Sequence, residues 1–270
     1  MKKGMCFTPL DGLSLEDSLK VYGDAGFDGV ELAFDKGYLT IDSDVDHIRR
    51  IRRAVESAGL EVASVMAGPV LNWRMPITHP DEAVRRRSVE GFKKALEVTA
   101  KLGADVLLMV PGAVTEETGY EEALERSREA VEEIAAKAEE VEVYLAVENV
   151  ANRFLLSPLE MRSFIDSFAN RWVGMYLDVG NILYCRAGYP WDWIRIMGRR
   201  IKRVHVKDCT RDGRITYLLE GDVDWRRVVE ALRDVGYDSY LTAELPLYRR
   251  HPKRMLERTV KDLEAIISCR

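Results

Sequence analysis

Glutamine is missing from this chain altogether, asparagine is scarce, and arginine clearly outnumbers lysine. Depletion of thermolabile amides points to a heat-adapted host. Histidine is nearly as rare. His47, His79, His205 and His251 are the full set, too few for a histidine-rich, multi-metal nuclease centre. The cysteines Cys6, Cys185, Cys209 and Cys269 are far apart, with no CxxC spacing. That excludes a zinc knuckle or a redox dithiol and leaves free thiols in a reducing compartment as the expectation. No apolar run approaches the roughly 20 residues that span a bilayer. The N-terminus, Met1-Lys2-Lys3-Gly4-Met5-Cys6-Phe7, turns polar too soon for a signal peptide, so the cytoplasm is the expected location. There is no GxGxxG turn for a dinucleotide fold, no Pro/Ser-rich linker and no low-complexity segment. A net charge of −5 gives no pull toward nucleic acid or anionic membrane.

What the chain has is alternation. Short apolar runs read as strands at Gly4–Thr8, Gly29–Phe34, Val62–Met66, Asp105–Val110, Val143–Glu148, Trp172–Asp178, Arg203–Lys207 and Tyr240–Glu244. Amphipathic stretches between them read as helices over Ser14–Ala25, Ser43–Ser57, Asp81–Lys101 and Tyr120–Glu140. Further helices follow from Pro158, near Trp191–Met197, over Trp225–Val235 and over Lys253–Ile267. Ser14 with Asp17 three residues on has the pattern of a helix N-cap. Gly26, Gly59, Gly103 and Gly236 stand where helices should end before the next strand. Eight strand–helix units repeating about every 30 residues, in a chain of 270, predict an α/β fold. It is a single (β/α)8 barrel over residues 1–270, with no second domain.

A barrel of this kind carries its chemistry at the C-terminal ends of the strands. Four consecutive strand ends here carry metal-ligand side chains: Glu148, Asp178, His205 and Glu244. Each acid follows an apolar run, where an isolated charge is costly, and a shared cation relieves that cost for all. Three carboxylates and one imidazole suit one divalent metal per subunit. Manganese is the first choice, with cobalt or magnesium as alternatives, all of them better suited to this donor set than a structural zinc.

This run of strand-end motifs resembles the sugar isomerase/epimerase superfamily related to xylose isomerase and apurinic-site endonucleases. Within it, the run resembles the ketose 3-epimerases, both the D-tagatose/D-allulose group and the L-xylulose-5-phosphate group. The resemblance covers essentially the whole chain and is strongest from Ala146 to Leu245. It implies a homo-oligomer, dimer or tetramer, acting on a small sugar or sugar phosphate, with no nucleic acid or membrane partner. It also implies that Glu148 and Glu244 form an acid/base pair for 3-epimerisation through a metal-bound enediolate. Arg211, six residues after His205, would contact substrate. Two positions depart from the sugar-specific members. Asn181, expected as a substrate contact, stands where those have a histidine, and Asn152-Arg153-Phe154-Leu155 replaces a stretch that carries a substrate-binding glutamate. Asp178-Val179-Gly180-Asn181 looks more like the phosphate-using group.

Other positions keep two readings. Lys207 is either a substrate contact or an ion-paired barrel residue. The segment Gly68–Pro80, with Trp73 as a substrate contact, is either a lid or a packed loop. Arg249-Arg250 follow the last strand, where barrels often bind phosphate. The runs Arg49-Arg50, Arg52-Arg53 and Arg85–Arg87 read as solvated helix faces, and Trp191 and Trp193 as core or a subunit contact. The same ligands also serve aldose–ketose isomerisation, hydroxypyruvate isomerisation and inosose dehydration. An apurinic-site endonuclease is a distant alternative.

Overall fold

A computed structural model describes residues 1–269. Eight strands close into a parallel barrel: β1 (Lys2–Cys6), β2 (Gly29–Ala33), β3 (Glu61–Met66), β4 (Val106–Met109), β5 (Tyr144–Glu148), β6 (Val173–Asp178), β7 (Ile201–Val206) and, after a small hairpin, β10 (Tyr240–Ala243). β1 pairs with β10 and closes the ring, Gly4 opposite Thr242. The hairpin strands are β8 (Asp208–Cys209) and β9 (Ile215–Thr216), paired antiparallel.

The helices follow their capping chemistry. α1 (Leu15–Ala25) starts at Ser14, whose side chain accepts from Asp17 N, and ends at Gly26 in the left-handed region. α2 (Val45–Ser57), α3 (Glu82–Leu102), α4 (Tyr120–Glu140) and α5 (Pro158–Asp166) follow strands two to five. The arginine runs on α2 and α3 form exposed ion pairs along the helix, Arg52 with Glu56 and Arg86 with Glu82, as expected of solvated faces. The barrel strands are buried over most of their length. Their outward side chains meet the helices in one continuous apolar core, which includes Trp191 and Trp193. Inside the barrel, Val106, Leu108, Ala146 and Tyr176 form a smaller apolar plug.

Three local features differ from the sequence reading. The connection after β6 is broken into a short α6 (Val179–Tyr184) and a separate α7 (Pro190–Met197). Asp178 caps α6 by accepting from Asn181 N, and the positive φ of Arg186 and Gly188 turns the chain before Pro190. β7 starts at Ile201, two residues before Arg203, and its pairing with β6 shifts register between Met175 and Tyr176. The segment after β3 forms a π-helical turn over Val70–Arg74. α8 (Trp225–Asp234) and α9 (Pro252–Ile267) complete the outer ring. Among the described residues, no helix is long and apolar enough to cross a membrane, and all four cysteines are free.

Candidate metal and active site

The ends of β5, β6, β7 and β10 are adjacent in the barrel, in the order β5-β6-β7-β10. Asp178 lies directly opposite His205 in register. Glu244 N donates to Val206 O at 3.1 Å, which extends the pairing one residue past β10. These pairings bring one ligand atom each from Glu148, Asp178, His205 and Glu244 within 4.8 Å of one another. His205 Nδ1 faces the group, 3.3 Å from Glu148 Oε1 and 3.9 Å from Asp178 Oδ2.

Lys207 belongs to the cluster too. Its Nζ donates to Asp178 Oδ2 at 2.5 Å and to Glu244 Oε2. The ion pairing of the sequence reading is present in the structure. Gly180 makes room for it: a Cβ there would come 2.5 Å from Lys207 Cγ and 2.7 Å from Lys207 O. Two asparagines fasten the strand ends together. Asn149 Oδ1 accepts from Asp178 N and its Nδ2 donates to Asp178 O, at 2.8 and 2.9 Å. Asn181 Nδ2 donates to Asn149 O at 3.0 Å. The Asn181 amide donor is thus committed to the scaffold.

Burial sets the protonation behaviour. Burial, with Glu244 and Asp178 close by, pushes the Glu148 carboxyl up to about 7 despite the bond to His205. Burial likewise raises Asp178, only partly offset by Lys207. Glu244 goes down, because His205 and Lys207 outweigh its burial. Burial opposes charge on the His205 ring, yet its acidic surroundings, Glu31 among them, hold its pKa well above the usual range. Lys207 also overcomes burial through Asp178 and Glu244 and stays charged.

The donor set fits a divalent ion. Three carboxylates less one ammonium leave two negative charges, and a neutral imidazole adds a nitrogen donor. A buried excess of that size is costly unless a cation shares it.

Sequence reasoning missed the other side of His205. Its Nε2 is 2.9 Å from Glu31 Oε1. Glu31 Oε2 accepts from Ser64 Oγ and Tyr176 Oη, both at 2.7 Å. Cys6 Sγ donates to Oε1 at 3.2 Å. The available signal was a lone acid inside the apolar run Gly29-Val30-Glu31-Leu32-Ala33, a strand buried throughout.

The remaining expected residues lie elsewhere. Arg211 sits on the β8–β9 hairpin and lines a groove of about 970 Å³ with Arg186, Tyr189, Trp191 and Arg227. Among the described residues, no hydrogen bond or ion pair links it to the four ligands. Its loop is shaped by Asp208, whose carboxylate accepts from Cys209 N, Leu219 N, Val223 N and Trp225 Nε1. Trp73 is 49% exposed, while Leu71, Asn72 and Ile77 around it are buried. Asn72 Oδ1 accepts from Val110 N, and Thr78 is bonded to Ala113 and Thr118, so this segment is packed down. Arg249 and Arg250 are exposed, and no hydrogen bond or ion pair of theirs is among those described.

The chain is similar to known proteins over most of its length. L-ribulose-5-phosphate 3-epimerase UlaE of Escherichia coli O1:K1 is 29% identical over 218 residues, covering 78% of this chain and 75% of that protein. The Shigella flexneri protein of the same name is 27% identical over 225 residues, covering 82% and 78%. The crystal structure of D-psicose 3-epimerase with D-tagatose from Clostridium cellulolyticum H10 superposes with a TM-score of 0.82 over 100% of both chains, at 17% identity. At that identity the superposition shows the fold. The profile of the xylose isomerase-like TIM barrel family matches residues 19–267, and the chain belongs to that family.

Proposed function

We propose that this protein is a divalent-metal-dependent 3-epimerase of a ketose or ketose phosphate, an isomerase of carbohydrate metabolism. The observation that carries the reading is the placement of two carboxylates. Glu148 and Glu244 come from β5 and the end of β10, with β6 and β7 between them, so they reach one cluster from opposite ends of its arc. The relatives named L-ribulose-5-phosphate 3-epimerase support the same reaction type.

Epimerisation at C3 needs a base on one face of that carbon and an acid on the other. One of Glu148 and Glu244, as carboxylate, takes the C3 proton, and the electron pair of that bond moves toward the neighbouring carbonyl. The other, as carboxylic acid, returns a proton to the opposite face. The reverse reaction exchanges their roles, and no oxidant or reductant is needed. Asp178 and His205 complete the ligand set. Manganese is the ion we assign, with cobalt or magnesium as substitutes. A bound ion supplies Lewis-acid stabilisation of the charge that develops on the sugar oxygens as the proton leaves. Lys207 places a fixed positive charge beside the same oxygens. Arg211 is the residue we assign to the far end of the substrate, from the groove it lines.

The test is proton exchange. Metal-stripped protein is reloaded with Mn²⁺ in D₂O and offered L-ribulose 5-phosphate, D-tagatose and D-psicose under NMR. Metal-dependent deuterium uptake at C3, with the C3 epimer appearing, is the expected result. Conversion at C1 and C2 instead would replace epimerisation with aldose–ketose isomerisation. No exchange on any sugar would end the reading.

A further inference from the structure

A metal-binding imidazole can present either ring nitrogen, and what it bonds to on the far side decides which. In this barrel the far side of His205 is unusually well determined. Glu31 is 1% exposed, and its carboxylate meets groups from four other strands: Cys6 of β1, Ser64 of β3, Tyr176 of β6 and His205 of β7. A carboxylate only accepts hydrogen bonds. With Ser64 and Tyr176 both on Oε2, Oε1 is left to Nε2–H of His205 and to the thiol. Nε2 therefore carries a proton, and Nδ1 is the ring nitrogen turned toward Glu148 and Asp178, the one that gives up its proton in order to ligate. The Tyr176 ring also packs against the imidazole, its centroid 4.3 Å away. It stands two residues before Asp178 on the same strand, so one strand both supplies a ligand and braces its neighbour.

We infer that Glu31 is a positioning residue for the metal centre: it acts through His205, fixing the tautomer and the ring orientation, and never touches the sugar. This rests on the metal-dependent reading above. Glu31 is invisible to that chemistry except through the affinity of the site for its ion.

The experiment is Mn²⁺ titration of the metal-free protein by calorimetry and electron paramagnetic resonance, wild type against Glu31→Gln. Glutamine keeps the volume and one acceptor oxygen but removes the charge. The expected result is a fall in Mn²⁺ affinity of roughly 10–100-fold, in a variant that still folds without metal. A merely structural role would move the melting temperature and leave affinity alone. Should Glu31→Gln fail to fold, Tyr176→Phe removes one donor from Oε2 and is expected to weaken Mn²⁺ several-fold. Wild-type affinity in whichever variant folds overturns the inference. A wild-type protein that binds no Mn²⁺ overturns the metal reading itself, and this inference with it.

Discussion

On the Nδ1 side of His205, three carboxylates and one ammonium crowd together with negative charge left over. On the Nε2 side, a single carboxylate is met by three side-chain donors besides the imidazole. The two regions lie a ring's width apart and solve the same problem differently. A buried charge is tolerable either when hydrogen bonds satisfy it or when a counter-ion shares it. The Glu31 side is satisfied from within the chain. On the Glu148–Asp178–Glu244 side, Lys207 and the His205 ring are the positive partners of three carboxylates, and the protonation tendencies are unequal, Glu148 and Asp178 up and Glu244 down. Completed hydrogen bonding gives rigidity; incomplete neutralisation gives affinity.

The sharpest way to break this contrast is to neutralise one carboxylate on each side. Glu148→Gln removes a proton-transferring group and should cost about 10²–10⁴-fold in turnover and C3 exchange, the usual range for a positioned acid or base. At neutral pH the metal-free variant should melt no lower than wild type, since the carboxyl it replaces is already held near 7 by burial. Glu31→Gln should act through affinity instead. Near-normal turnover in Glu148→Gln would take Glu148 out of the reaction and leave it as a ligand only.

Lys207 offers a smaller effect of a different kind. Lys207→Met leaves Asp178 and Glu244 without their ammonium partner. Removing one member of a buried ion pair costs roughly 3–5 kcal/mol, and the low end applies because the Glu244 side chain is 35% exposed. The metal-free variant should therefore melt on the order of 10 °C lower, and saturating Mn²⁺ should restore most of the loss. Equal melting of the metal-free proteins would mean that Lys207 does not hold the cluster together.

The cluster of Glu148, Asp178, His205 and Glu244 was legible in the sequence because each is a polar residue closing an apolar run, and barrel geometry converts four such endings into one place. Glu31 was not, because it sits mid-strand: the lone acid in Gly29-Val30-Glu31-Leu32-Ala33 was a signal of a buried charge, but only the register of five strands shows which groups meet it. The roles of Asn149 and Asn181 were equally hidden. Each spends its amide on backbone of the adjacent strand end, a pairing that only register defines. Strands of two residues carry no periodicity, so β8 and β9 read as plain loop. The turn at Val70–Arg74 kept two readings, lid or packed loop, because only tertiary packing shows the burial of Leu71 and Asn72.

The mildest perturbation, pH, separates the two sides without a mutation. In the metal-free protein Glu148 is raised from 4.5 to about 7 and His205 is raised above 6.5. Both must shed protons before they can act as ligands, so Mn²⁺ affinity should rise with pH, about tenfold per unit for each proton released. The stability sign follows. Both groups bind protons more tightly folded than unfolded, so their contribution is fully present at low pH and is lost as pH rises through their folded values. The lowered groups, Glu31 and Glu244, lose their contribution only near and below 4.5. Between pH 5 and 8, then, this cluster lowers the melting temperature of the metal-free protein as pH rises. The gap between Mn²⁺-loaded and metal-free protein should widen over the same range. Glu148→Gln should remove one proton from that slope and leave the part due to His205. A gap that stays constant from pH 5 to 8 in calorimetry would mean that ligation and protonation are not competing at Nδ1 and Glu148, and the open side of the imidazole would have to be redrawn.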